Sequence, residues 1–457
     1  MSSTKGQAFL DAFAEKSAKI GNQVHLRSLR DAFATIMPLF ILVGIAVLVN
    51  AVLFDKIWGA NGLAPNAELL TTLQYWGSAI ASGTLNISAL LLAGMIGYSL
   101  ARNKRFDNAV ACVVISIAAF VIMMPMTVTA NLAAGSELIT EKITTAEVGG
   151  VLSASNTGTQ GMFGAITIGL LATTLFIKLS GIDKFAIRLG EGVPPAVEKS
   201  FNVLIPIMLT LGTFALAALL LNAIFATDLI SLINTWIQAP LRSVVTSLPG
   251  LVFVYCLGTF LFTLGIHQST VTGVLVEPIL TIVLLENTTL FQAGQPIPVE
   301  NYMNMDIINV FALSGGSGCT IALIIATFIW GKYKPSREVA KMSLLPGIFN
   351  INEPVIYGYP LVYNLPLMVP FVLCVAVNIT VAYLATVAGI IAPCIAPVPW
   401  TTPLFLNSFL ATGGDVAAVV LQVILLVVDV LLYLPFMKVS EKVFMKQASA
   451  ESTSDEN

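Results

Sequence analysis

Long apolar runs alternate with short polar or charged segments along this chain, and each run is read against the roughly 20 apolar residues a helix needs to cross a bilayer. Five spans are expected in the first half, over about 33–54, 84–101, 109–131, 161–180 and 201–226. A charged turn at Arg102, Lys104, Arg105 and Asp107 separates the second from the third, and a polar loop over 132–160 precedes the fourth. The second half is more interrupted. Amphipathic sequence at 227–248 leads to paired apolar stretches near 249–266 and 270–286, then a polar insert containing Pro296 and Pro298. Beyond it come a glycine cluster at 314–318, a span to Trp330, and spans near 364–388 and 415–437 separated by the proline-rich segment Pro393–Pro403.

Lys and Arg cluster at 5–30, 102–105, 178–199, 332–341 and 438–446, whereas loops 55–78, 132–160 and 389–413 hold only Lys56 and Lys142. The positive-inside rule puts the first group in the cytoplasm. For the sides to agree, 249–286 must cross twice, and 342–363 must dip in and return. The expected fold is an all-α polytopic membrane protein of about ten transmembrane helices with re-entrant hairpins, both termini cytoplasmic. Residues 1–30 read as a helix lying along the cytoplasmic membrane surface, with Phe9, Leu10, Phe13 and Ile20 towards lipid. Residues 31–226 read as a scaffold domain, 227–445 as a substrate-handling domain and 446–457 as a disordered cytoplasmic tail.

Composition agrees with the pattern. The chain is 56% apolar and 10% charged with a mean hydropathy of +0.88, against about 25% charge in soluble chains. A net charge of −3 points to no nucleic-acid partner. The five cysteines all lie in apolar stretches without a CxxC pair, so they signal neither a disulfide framework nor a metal site. The charged, amphipathic start is unlike a cleavable signal peptide.

Candidate chemistry concentrates at Pro346-Gly-Ile-Phe-Asn350-Ile-Asn352-Glu353-Pro354, flanked on both sides by apolar sequence. Pro354 removes a backbone N–H and biases Glu353 away from helical geometry, so a break in the chain is expected beside the carboxylate. Broken backbone at membrane depth is tolerated where it lines a cavity, which makes Glu353 a functional candidate; the alternative is a loop glutamate at the headgroups. His267, in Leu264-Gly265-Ile266-His267-Gln268-Ser269, is the only histidine inside the apolar sequence. It is either a satisfied core residue or an acid–base partner of Glu353. Asn350, Asn352 and Gln268 offer amides suited to sugar hydroxyls, or to capping broken helix ends. Trp400 could stack on a sugar ring or sit in an interfacial aromatic belt. Glu277 and Asp429 are further carboxylates in apolar runs, readable as coupling groups or as partners of another helix. The glycine cluster lacks the strand–helix context of a nucleotide-binding loop.

These motifs, with Pro399-Trp400-Thr401-Thr402-Pro403 and Val193-Pro194-Pro195-Ala196-Val197, resemble the lactose/cellobiose family of phosphotransferase-system sugar transporters over about residues 20–445, most of all enzyme IIC components for diacetylchitobiose or cellobiose. The resemblance implies a homodimer joined through the N-terminal helices, a sugar site built from the C-terminal helices and two re-entrant hairpins, and no cofactor. It implies that His267 and Glu353 lie beside the sugar C6 hydroxyl, and that Asn350, Asn352 and Trp400 contact the sugar. Glu277 and Asp429 match nothing in the family pattern. The expected activity is membrane passage of a β-linked disaccharide with phosphorylation by a separate enzyme IIB phosphoprotein at the cytoplasmic face. Two other readings use the same residues: a proton-coupled sugar carrier with Glu353 as proton site, and a membrane-embedded hydrolase or transferase.

Overall fold

The computed structural model describes residues 23–50, 53–54, 58, 67–131, 145–187, 201–265, 267–273, 276–359 and 361–454. The expected surface helix over residues 1–30 lies for the most part outside them. Its last residues belong instead to α1 (Val24–Leu48), where Pro38 is accommodated within the helix. Next come α2 (Ala67–Thr84) and α3 (Ser88–Asn103), separated by a single 3-10 turn, so helix begins well before the expected start at residue 84. α4 (Ala109–Ile122) follows, with the Asn108 side chain accepting from Ala111 N–H as its N-cap. An unanticipated antiparallel pair follows: β1 (Thr127–Asn131) takes the end of the span expected over 109–131, whose helix stops at Ile122, and β2 (Thr145–Gly149) lies in the loop expected over 132–160, in register Thr127 with Gly149. Its alternation is too short and too polar to stand out in an otherwise apolar sequence.

The remaining long elements are α5 (Met162–Ser180), α6 (Leu204–Phe225), α7 (Leu248–Phe262), α8 (Val276–Gln292), α9 (Thr320–Trp330), α10 (Lys334–Ile348), α11 (Glu353–Gly358), α12 (Leu365–Val387) and α13 (Val416–Ser454). Among the described residues six helical segments are long and apolar enough to cross a membrane, or seven if the bent pair Leu229–Val245 and Leu248–Phe262 forms one span. α7, at 15 residues, is only about 22 Å long against about 30 Å of hydrocarbon. α10 and α11 are shorter than a span, as a segment that dips and returns requires. α13 continues as helix to Ser454, into the stretch expected to be disordered; its Lys, Glu, Gln and Ala residues favour helix, and the long span before them supplies the nucleus.

Internal contacts divide the chain into two units, one containing Gln23–Leu39 and Ala81–Leu241, the other Phe40–Ile80 and Arg242 onward. The boundary thus falls later than residue 226, and Phe40–Ile80 groups with the second half. Close packing explains that grouping: a side chain at Gly44 would collide with the Pro397 backbone. In the first unit α3, α4 and α5 pack closely, with Ser116 and Thr173 hydroxyls 2.8 Å apart. Asn103 donates to Ser28 Oγ and Asp31 Oδ2, each at 3.0 Å. His25 lies 3.2 Å from Thr174 Oγ1 through Nε2.

The second unit is centred on α9, α12 and α13, whose buried residues include Leu323, Ile324, Phe371, Cys374, Tyr433 and Met437. One face of α13 carries a polar stripe, Gln422, Asp429, Tyr433, Ser440 and Glu441, and each member fastens another segment. Gln422 donates to Val310 O and Asn407 Oδ1. Ser440 accepts from Asn364 Nδ2, and Glu441 accepts the backbone N–H of Lys332 and Tyr333 just ahead of α10. Spacings of seven, four and seven from Gln422 to Ser440 keep these residues on one side of the helix.

Candidate functional site

The motif around Glu353 is two short helices and the turn between them. α10 ends in a left-handed cap: Ile351 N–H donates to Pro346 O, Asn350 N–H donates to Gly347 O, and Asn350 has φ +61°. Asparagine is among the few residues that tolerate this conformation. The chain does break beside the carboxylate, but Pro354 starts a helix rather than ending one. It stands in the first turn of α11, where a missing N–H costs nothing. Glu353 opens that helix, exposed and with no hydrogen-bond or ion-pair partner among the described residues.

Asn350 is 5% exposed, and its amide is fully engaged. Oδ1 accepts Gly315 N–H at 2.8 Å, while Nδ2 donates to Trp400 O at 2.7 Å and Thr402 O at 3.3 Å. Asn352, also buried, donates to Ser317 O at 2.9 Å. A Cβ at Gly316 (φ +95°) would lie 2.5 Å from Asn352 Cγ, so the close approach of the two segments requires glycine there. The three motifs singled out in sequence, the glycine cluster, the Asn–Glu–Pro turn and the Trp400 loop, are therefore one hydrogen-bonded assembly. Trp400 contributes its carbonyl to it and is itself 57% exposed.

His267 is exposed beyond α7, its ring 4.7 Å from that of Phe262. Ser269 N–H donates to Nδ1 at 3.2 Å, and Ser269 Oγ lies 2.8 Å from the same nitrogen. A ring nitrogen that accepts a backbone N–H holds the lone pair, so the neutral imidazole carries its proton on Nε2. Tyr363 N–H donates to Thr263 O at 2.8 Å, fastening the loop before His267 to the segment after α11. No hydrogen bond or ion pair joins His267 to Glu353 among the described residues. Gln268 is turned inward, 4% exposed, with Oε1 accepting from Thr259 Oγ1 at 3.4 Å.

Several positioning residues were not marked by the sequence. Asp306 is buried, accepts Val398 N–H at 3.2 Å and so fixes the approach to Trp400. Asn287 donates to Cys394 O and Thr288 to Ile395 O, holding the same proline-rich loop. The available signal was polar residues inside an apolar stretch, Asn287-Thr288 and Asn304-Met-Asp306. Glu277 accepts from Thr272 Oγ1 at 2.6 Å.

A family model described as "Phosphotransferase system, EIIC" matches residues 30–374. The chain belongs to this family. It is therefore a multi-pass membrane protein of phosphotransferase sugar transport. The oligo-beta-mannoside-specific EIIC component of Bacillus subtilis (strain 168) is 31% identical to it over 96% of both chains. The cellobiose-specific EIIC component of Geobacillus stearothermophilus is 30% identical over 96% of this chain and 94% of that one. A lactose-specific EIICB component of Streptococcus mutans is 26% identical, and the match takes in 74% of its length. Among solved structures, the transporter ChbC, the IIC component of the N,N'-diacetylchitobiose-specific phosphotransferase system, superposes with a TM-score of 0.85 at 30% identity, covering 96% of this EIIC chain and 99% of that one.

Proposed function

We propose that this EIIC protein binds a β-linked disaccharide of the cellobiose or diacetylchitobiose type, carries it across the bacterial cytoplasmic membrane with both its own termini inside, and presents the sugar's C6 hydroxyl to a phosphorylated EIIB protein. The observation that supports this most is the division of labour in the motif. Asn350 and Asn352 tie three segments together, while the Glu353 carboxylate and Trp400 ring remain unoccupied and exposed. A free carboxylate can accept a proton. The proton passes from the C6 hydroxyl to Glu353; the oxygen attacks phosphorus, and the phosphorus–sulfur bond of the EIIB phosphocysteine breaks to leave a thiolate. His267, with Nδ1 held by Ser269, offers its Nε2 proton to orient the hydroxyl oxygen. The sugar contacts of Asn350, Asn352 and Gln268 are then backbone-mediated or indirect, and Trp400 provides the stacking face. The relatives that act on cellobiose and diacetylchitobiose support the substrate class.

The protein works as a homodimer in this reading. α6 supports it: the apolar window of α6 is 17% buried, against 33–50% for the other span-length helices.

The test is sugar uptake into vesicles with and without phosphorylated EIIB. Glu353→Gln is expected to retain sugar binding and lose phosphorylated product. Normal product from that variant removes the base role. Accumulation of free sugar that an uncoupler abolishes, indifferent to EIIB, would establish a proton-coupled carrier instead, and product released on the side of entry a membrane hydrolase.

A further inference from the structure

Asp429 is a fully buried carboxyl that the proposed chemistry leaves unused. It lies on α13 facing Asn378 of α12, whose Nδ2 donates to Asp429 Oδ2 at 2.8 Å. The amide's orientation is settled by its other contacts. Nδ2 also donates to Phe311 O at 2.9 Å and reaches Cys319 Sγ at 3.3 Å. Reversing the amide would set its oxygen against the Phe311 carbonyl. Two oxygens then remain buried with no donor among the described residues, Asn378 Oδ1 and Asp429 Oδ1. If Asp429 were a carboxylate, Asn378 Oδ1 would be an orphaned acceptor, Asp429 would have only the weak thiol donors of Cys319 and Cys374 beside its free oxygen, and a negative charge would be buried without a cation. The groups facing the carboxyl are the thiols of Cys319 and Cys374, the Tyr433 phenol one turn along α13, and Asn378; no lysine, arginine or histidine is among them.

We infer that Asp429 is carried as a neutral acid whose Oδ1–H donates to Asn378 Oδ1, and that this acid–amide pair is a latch positioning the glycine turn beneath the Glu353 motif. One proton satisfies both orphaned oxygens and removes the buried charge. The latch reaches the site through named contacts. Asn378 holds Phe311 and Cys319 on either side of the glycine turn, and Tyr433 donates to Gly318 O at 2.6 Å. The turn in turn holds Asn350 and Asn352, between which and α12 it is clamped on both faces. Asp429 is thus a positioning residue and takes no part in proton transfer to or from the sugar. Its link to catalysis rests on the role proposed for Glu353, whereas its protonation does not.

An asparagine at 429 reproduces the same donor–acceptor pattern, with its oxygen facing Asn378 Nδ2 and its amide N–H facing Asn378 Oδ1. Asp429→Asn is therefore expected to keep sugar binding and EIIB-dependent phosphorylation near wild type, with an unchanged pH profile. Asp429→Ala leaves Asn378 Oδ1 without a donor and frees its Nδ2 from one of its partners, and is expected to lose about tenfold or more in phosphorylation, with lower thermal stability. The spectroscopic arm needs no activity and no alanine variant. Wild-type protein at neutral pH should give an infrared carboxylic-acid C=O band that moves on deuteration and is missing from Asp429→Asn. Absence of a band assignable to Asp429, or Asp429→Asn behaving like Asp429→Ala, would overturn the latch. Should the band be present while Glu353→Gln still phosphorylates sugar, only the catalytic assignment fails.

Discussion

Replacing Asn350 separates the two things an amide could do at this position. Asn350→Ala deletes an acceptor 2.8 Å from Gly315 N and a donor 2.7 Å from Trp400 O, in a place that is 5% exposed. Each backbone group stranded by the change costs about 1–3 kcal/mol, so the hydrogen bonds together are worth about 2–6 kcal/mol. Alanine in the left-handed conformation at φ +61° adds about 1–2 kcal/mol of strain. Asn350→Gly removes the bonds without that strain, and the difference between the variants isolates it. The assay is thermal unfolding in one detergent, run beside calorimetric sugar binding and acrylamide quenching of tryptophan fluorescence. Both variants should unfold several degrees earlier, alanine first, as each ~1 kcal/mol shifts Tm by about 2–4 °C in a unit of roughly 150–250 residues. Quenching should rise as the Trp400 loop loosens. Unchanged stability together with lost sugar affinity would refute the reasoning, because Asn350 would then be spending its amide on ligand rather than on the fold.

Two further perturbations test other parts of the chain. Arg242 and Glu286 form a largely buried ion pair at 2.7 Å, so Arg242→Met should cost about 3–5 kcal/mol by stranding Glu286, and Arg242→Met with Glu286→Met should recover most of it; thermal unfolding that ranks the double variant as low as the single one would contradict this. Partial burial and then the adjacent Lys178 hold the Lys104 ammonium below the usual lysine range. Lys178→Met should therefore move the pH profile of Lys104 acylation, followed by mass spectrometry, to higher pH, and an unmoved profile would assign the whole effect to burial.

The helical class and most of the spans were legible in the sequence because a bilayer leaves the backbone few solutions, and apolar length reports them directly. The departures have local causes. The β1–β2 pair is five residues a side and mostly polar, and the 3-10 turn between α2 and α3 lets helix begin at Ala67, before the apolar signal rises. Pro354 signals a break in the chain, yet proline at a helix start is as compatible with the same letters. Asp306 carries no mark in the sequence because its partner, Val398 N–H, is 92 residues away.

By itself, then, the order of residues determined the membrane-embedded helical class and marked the segments where chemistry-bearing side chains interrupt apolar sequence, since both follow from the cost of polar groups in hydrocarbon. Only the folded chain decided which of those side chains are already spoken for. Asn350 and Asn352 bond to backbone 35 to 52 residues away, Gln268 turns inward, and Glu353 stays open. An amide reads the same in sequence whether its partner is a carbonyl or a sugar, and the distinction arises only when distant segments close around it.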